Sequence, residues 1–362
     1  MTVTAERAAP PAQAPHPARA RLGFAGLTVL LALTTLFVVG LAVSFGSVRI
    51  PVGDVWAIVA HRVAPGAFES WWSQARESIV LDSRLPRALT AATVGAALAL
   101  AGAVAQAVTR NPLADPYLLG VSSGAGFGVV VVTVLGLGVG ALGSFTIPVA
   151  AFLGAMVPLF LSLAIGGRYP QPTAVILVGV ASAQVFSALI TFSILVVADE
   201  HQLSSVMHWL AGGFGDSRWS TAIFPAVALA TVGVAMMLSA SRIDLLQAGD
   251  DGAAALGMNV RRFRVVQLLG VSMLAGAAVS VAGGIGFIGL LVPHLAGYVV
   301  GARAVRLLPV VAFLGAIAMV AADTAARSVS RSIEVPVGVV TALVGAPIFV
   351  WMLYRQYRRA DR

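Results

Sequence analysis

The chain contains no cysteine, so no disulfide, thiolate metal site or thiol nucleophile is open to it. It contains no lysine either: all 23 basic residues are arginine, set against 15 acidic ones. A phosphate-cradling P-loop needs its lysine to reach the nucleotide phosphates; if ATP drives this protein, another subunit binds it. Charged residues make up only 10% of the 362, whereas soluble domains carry roughly a quarter. What fills the sequence instead is apolar, with 59% hydrophobic residues and a mean hydropathy of +0.93. That composition belongs to a polytopic all-α membrane protein.

Residues 1–22, rich in Ala and Pro and carrying Arg7, Arg19 and Arg21, are expected to form a disordered cytoplasmic tail without a signal-peptide cleavage site. Apolar stretches long enough for about 30 Å of hydrocarbon follow at 23–46, 88–108, 117–137, 145–165, 173–198, 219–240, 265–284, 308–326 and 335–354. A tenth, shorter run at 288–301 contains Pro293. Ten spans place both termini on one side. With the N-terminus inside, 15 arginines fall on the cytoplasmic side and 8 outside, as positive-inside topology requires. Residues 23–354 then form one permease-like membrane domain, followed by a basic cytoplasmic C-terminus at 355–362.

The octapeptide GAALALAG (95–102) recurs as GAAVSVAG (276–283), an offset of 181 that also aligns Pro112 with Pro293 and Gly120 with Gly301. The two copies run in opposite directions under this topology, which is the inverted repeat of transporters. Small residues at spacing four, Gly95, Ala99 and Ala103, let helix backbones approach closely where lipid gives no apolar drive. Gln106 is expected to hydrogen-bond across helices.

Two segments fit the loose dinucleotide fingerprint, Gly138-Val-Gly140-Ala-Leu-Gly143 and Gly284-Ile-Gly286-Phe-Ile-Gly289. Neither has the strand–turn–helix setting, and tight turns with close packing are the expected outcome. The segment RNPLADPYLLGVSSGAG (110–126) is different: a polar, helix-breaking knot between long apolar runs. Pro112 and Pro116 must end a helix and fix a turn. In the longest internal loop, about 244–260, DDGAAALG is expected to be an Asp-capped short helix with a Gly stop.

Five motifs in order, RLPRALTAATVGAALALAGAVAQAVTRNPLADPYLLGVSSGAG, WLAGGFGDSRW, DDGAAALG, GGIGFIGLLVPH and EVPVGVVTALVGAPIF, resemble the FecCD family. Its members are permease subunits of ABC importers for iron–siderophore chelates, haem and cobalamin. The resemblance runs from about Leu22 to Tyr354 and departs from the family at Gly297, where Arg is frequent. It implies a BtuC-like fold of ten transmembrane helices in the plasma membrane, paired with a second copy or a close paralogue as a homodimer or heterodimer. It implies two cytoplasmic ATPase subunits holding ATP and Mg, and an extracytoplasmic substrate-binding protein; the chain itself carries no cofactor, no metal, no catalytic residue and no nucleic acid. Asn111 and Leu113 match the cytoplasmic gate. Asp250, Asp251, Ala253, Ala254, Leu256 and Gly257 match the coupling helix that seats in the ATPase. Arg84, Arg87 and the Arg327 region match arginines that pair with the binding protein's glutamates. Siderophore is the commonest cargo of the family.

Among the remaining polar residues, Asp323 is expected to pair with Arg327 one turn later, and Glu334 with Arg331. His201 and His208 flank Trp209 and Trp219 as interfacial anchors, with cargo contact the alternative; His294 is expected to bond carbonyls freed by Pro293. Two competing functions are an ion-coupled secondary transporter, for which Asp323 is the one deep acid, and a membrane enzyme, which has no nucleophile or acid pair to support it.

Overall fold

The computed structural model describes residues 17–46, 49–66, 69–165, 172–329 and 334–360, and among them there are helices and no strands. In chain order the helices are α1 (Pro17–Ser44), α2 (Val52–Val63), α3 (Gln74–Ser78), α4 (Leu85–Thr109), α5 (Val121–Thr133), α6 (Thr146–Ile165), α7 (Pro172–Val196) and α8 (Glu200–Ala211). They continue with α9 (Trp219–Ala228), α10 (Val234–Leu238), α11 (Ala240–Leu245), α12 (Asp250–Ala255), α13 (Val260–Ala282), α14 (Ile288–Val300), α15 (Ala304–Val329) and α16 (Val337–Ala360). Single wide turns, Ile79–Arg84 and Leu229–Gly233, fuse α3 to α4 and α9 to α10.

Seven of these helical stretches are long and apolar enough to cross a bilayer. The other three expected spans correspond to shorter apolar helices, Val121–Thr133, Ile288–Val300 and Val337–Met352. At about 1.5 Å per residue, the 13 residues of α5 or α14 cover roughly 20 Å, less than the hydrocarbon thickness. Both begin beside irregular backbone, which membrane depth tolerates only where protein or an aqueous cavity surrounds it. The first helix starts at Pro17, ahead of the expected 23, while residues 1–16 lie outside the described residues.

α4 is the central post. Its most apolar window is 89% buried, against 22% for α1 and α7, whose outer faces carry Leu33, Phe37, Leu177 and Leu195. The Ala/Gly composition follows from that position. A Cβ on Gly95 would stand 2.2 Å from the Gly315 carbonyl oxygen of α15, and one on Gly102 would stand 2.0 Å from that of Gly289 in α14. Larger residues at either crossing would force the helices apart.

The inverted repeat is present in the packing. Arg264, near the start of α13, donates to the Val108 carbonyl near the end of α4, so the two copies run antiparallel. α4 packs on α14 and α15, and α13 packs on α5 and α6. At the shared offset, Gly95 meets Met319 of α15 and Gly276 meets Phe152, Ala155 and Met156 of α6. Gly120 and Gly301 both adopt left-handed φ, 79° and 77°. The prolines part company: Pro112 sits in a loop and Pro293 inside α14. The sequence register therefore marks the helix pair, and the connections differ.

Candidate functional site

At one end of the bundle the polar knot closes α4. Arg110 takes a left-handed conformation (φ 52°), its N–H donating to Ala107 O, while the Asn111 N–H donates to Gln106 O. Asn111 then turns its side chain back: Oδ1 accepts the Leu113 N–H at 2.9 Å, and its own carbonyl accepts from Ala114 N. Such an Asx turn fixes the loop and leaves Leu113, 41% exposed, projecting from it. Asp115 caps the following turn, Pro116–Leu119, by accepting the Tyr117 N–H at 2.8 Å. The Tyr117 hydroxyl donates to Ile285 O and accepts from Ile285 N, which ties the knot to the GGIG segment.

Directly beside the knot lies α12. Sequence reasoning gave it an aspartate cap; instead Gly249, which has no side chain to cap with, occupies that position, and the Asp250 carboxylate is taken by arginines. Arg264 donates to both its oxygens at 3.0 and 3.2 Å, and Arg110 forms a further ion pair with it. The hydrogen bonds from Arg264, followed by the charges of Arg264 and Arg110, hold this carboxyl below the usual carboxylate range. Since Arg264 also grips the Val108 carbonyl, one buried guanidinium joins α4, α12 and α13. The six residues expected to couple to an ATPase separate by exposure: Ala253 is buried within the chain at 0%, while Asp251, Ala254 and Leu256 face outward. Gly257, at φ 84°, supplies the expected stop, with Gly257 N donating to Ala254 O and Met258 N to Ala253 O.

At the opposite end Arg84, Arg87 and Arg327 turn inward. Arg84, 7% exposed, donates to the carbonyls of Val43 and Ser44, and the guanidinium rests against Gly46. Arg87 grips Asp323 with two nitrogens, Nε at 3.1 Å and Nη2 at 2.7 Å, and also pairs with Glu334. Arg327 approaches Asp323 to 3.1 Å, as the i,i+4 spacing indicated, without hydrogen-bond alignment of that Nε, and donates to Phe45 O and Ala42 O. Glu334, expected to pair with Arg331, is held by Arg87; Arg331 lies outside the described residues. A buried acid, Asp323 at 1% exposure, thus sits between two cations.

Three family motifs also meet here, a junction that sequence reasoning missed. A Cβ on Gly338 would lie 2.3 Å from Ala211 O and 2.5 Å from Gly284 O, and one on Gly212 would lie 2.5 Å from Gly284 O. Gly212, Gly284 and Gly338 come from WLAGGFG, GGIG and EVPVG, and bonds from Gly213 N to Ala282 O and from Gly338 N to Gly212 O complete the joint. Three glycines recurring at motif positions were the available signal. The loose dinucleotide segments are the turns they were expected to be: Gly138, Gly140 and Gly143 all have positive φ in an exposed loop, and Gly289 packs on Gly102.

His201 and His208 share an exposed face of α8 and line a cavity of about 660 Å³ with Ser204, Asp216 and Arg218. Trp219 anchors α9 by donating to Leu81 O at 2.8 Å. Gln106 bonds across helices as expected, to Gly289 O at 3.2 Å. His294 meets the Tyr298 hydroxyl at 3.4 Å in place of a freed carbonyl. Among the described residues no group of three or more His, Asp or Glu could hold a metal ion.

A sequence profile described as the FecCD transport family matches residues 32–355. The uncharacterized ABC transporter permease protein YvrB of Bacillus subtilis (strain 168) is 39% identical over 324 residues, covering 88% of this chain and 90% of that protein. The vitamin B12 import system permease protein BtuC of Citrobacter koseri is 38% identical over 306 residues, 84% of this chain and 89% of its own. A solved structure of a metal-chelate type ABC transporter in an inward-facing conformation superposes with a TM-score of 0.79 at 28% identity, covering 91% of this chain and 99% of that one. Matched by the family profile over residues 32–355 and by these relatives over most of its length, the chain belongs to the FecCD transport family, as a multi-pass permease of an ABC importer.

Proposed function

We propose that the chain moves an iron–siderophore chelate into the cytoplasm, working with a second permease copy, two ATPase subunits and an extracytoplasmic binding protein, with both termini cytoplasmic. The observation that carries this reading is the Asp250 bridge, which ties the outward-facing α12 to Arg110 of the knot. In this reading α12 seats in the ATPase through Ala254 and Leu256, and Leu113, braced by Asn111, is the gate. A push on α12 then reaches the gate through one carboxylate. The deep acid that an ion-coupled transporter would need, Asp323, is engaged by Arg87 and Arg327. The metal-chelate neighbour favours a siderophore; the BtuC relative favours cobalamin as the second reading.

Docking of the binding protein falls to the Arg84, Arg87 and Arg327 region. Arg84 shapes the rim by holding the end of α1, and Arg87 supplies the exchangeable contact. Glu334, 44% exposed on its side chain, is the partner that a carboxylate from outside displaces. Glu334→Gln frees Arg87, so docking measured by surface binding is expected to tighten; unchanged affinity removes Arg87 from the interface.

Proteoliposomes carrying the permease, its ATPase and its binding protein test the cargo. Radiolabelled ferric siderophore is expected to accumulate only with ATP, with haem and cobalamin at background, and the permease alone is expected to hydrolyse no ATP. Cobalamin uptake would favour the second reading. Uptake driven by an ion gradient without ATP would overturn the importer itself.

A further inference from the structure

A cavity of about 1000 Å³ lies between the α10–α11 arm and α13, outside the knot. Its wall along α13 runs from Arg262 to Met273. At about 1.5 Å per residue that is roughly 16 Å, against about 15 Å for one leaflet of a 30 Å hydrocarbon core. The deep part is mainly apolar, with Met236 buried, Val266 and Met273 exposed in it, and Thr231 and Gln267 its uncharged polar members. Charge is confined to the α12 end, where Arg242 and Arg262 are the charged residues among those lining the cavity, both exposed. The N-terminus of the 23-residue α13 opens there as well, with Asn259 capping only the Arg262 N–H. Two cations and a helix N-terminus at one end of a leaflet-deep apolar trough complement a single ligand form: an anionic head joined to acyl chains.

We infer that this trough is a binding site for an anionic phospholipid of the cytoplasmic leaflet, its phosphate at Arg242 and Arg262 and its chains along Met236, Val266 and Met273. The orientation rests on the importer reading, which puts the α12 end in the cytoplasm. Leu256 and Met258 close the mouth just beyond α12, so the lipid is seated against the segment proposed to meet the ATPase.

Native mass spectrometry of the purified chain, released from nanodiscs mixing phosphatidylglycerol with phosphatidylcholine, reads the site without any ATPase. Selective retention of phosphatidylglycerol is expected. Arg242→Gln with Arg262→Gln is expected to weaken retention roughly 30-fold, from about 1 kcal/mol per arginine. Val266→Trp, which fills the apolar trough and keeps both charges, should also lower it. The pair Arg303→Gln and Arg306→Gln, off the cavity, should leave retention unchanged. Equal loss in both arginine pairs would reduce the effect to general surface charge and overturn the site. Binding of free glycerol phosphate that is insensitive to Val266→Trp would overturn the lipid and leave a bare phosphate site. Loss of selectivity with intact ATP-driven uptake rejects the lipid alone, whereas phosphatidylglycerol retention without ATP-driven uptake rejects the importer reading alone.

Discussion

Asp323→Ala is expected to destabilise the purified chain by about 3–5 kcal/mol, the usual cost of removing one partner from a buried ion cluster. The acid is 1% exposed and lies between Arg87 and Arg327, each 12% exposed on its side chain. Without it, two guanidiniums, at the start of α4 and the end of α15, face each other, and among the described residues Glu334 and the carbonyls of Ala42 and Phe45 are the acceptors left to them. Arg87→Met added to Asp323→Ala should recover a large part of the loss, since a buried charge left alone is costlier than a neutral pair. Thermal unfolding in detergent measures both. An Asp323→Ala variant within about 1 kcal/mol of wild type, the scale of exposed pairs, would mean that the cluster is solvated.

Ala254→Trp is expected to abolish transport while the chain still folds and inserts. Ala254 is exposed on a six-residue helix, so the added volume has room within this chain and clashes with an ATPase groove that seats α12 as proposed. An overfilled interface loses about 1–3 kcal/mol, roughly 5- to 150-fold in affinity. Ala253→Trp provides the contrast: that side is buried at 0%, and the substitution should damage the permease itself. Asp250→Asn separates contact from transmission. Its neutral amide should keep the ATPase bound yet loosen Arg110 and Arg264, so ATP turnover persists while uptake falls. Copurification of the ATPase and chelate uptake in vesicles are read together. Wild-type values for both in Ala254→Trp would remove α12 from the mechanism.

The positions of the membrane helices were legible because hydropathy acts through length, and a bilayer of fixed thickness reads length directly. The limits of that signal show at α5 and α14: the sequence marks them as apolar, and only the packing beside the knot and the GGIG turn shows where their helices begin. The i,i+4 pair of Asp323 and Arg327 was equally legible, being local to one helix.

By itself the sequence determined the class, the family, the inverted repeat and the stops at Arg110–Pro112 and Gly257, all of which depend on composition, on order along the chain or on neighbours a few residues apart. Tertiary structure decided the rest. That Arg87 serves Asp323 and Glu334, 236 and 247 residues away, that Asp250 bridges Arg110 and Arg264 where a cap was expected, and that Ala253 and Ala254 face opposite ways all depend on where distant helices cross. An ionic group buried in the bundle must find a partner there. Which partner it finds is set by backbone approach at Gly95, Gly102 and Gly338, where the absence of a side chain lets helices far apart in sequence touch.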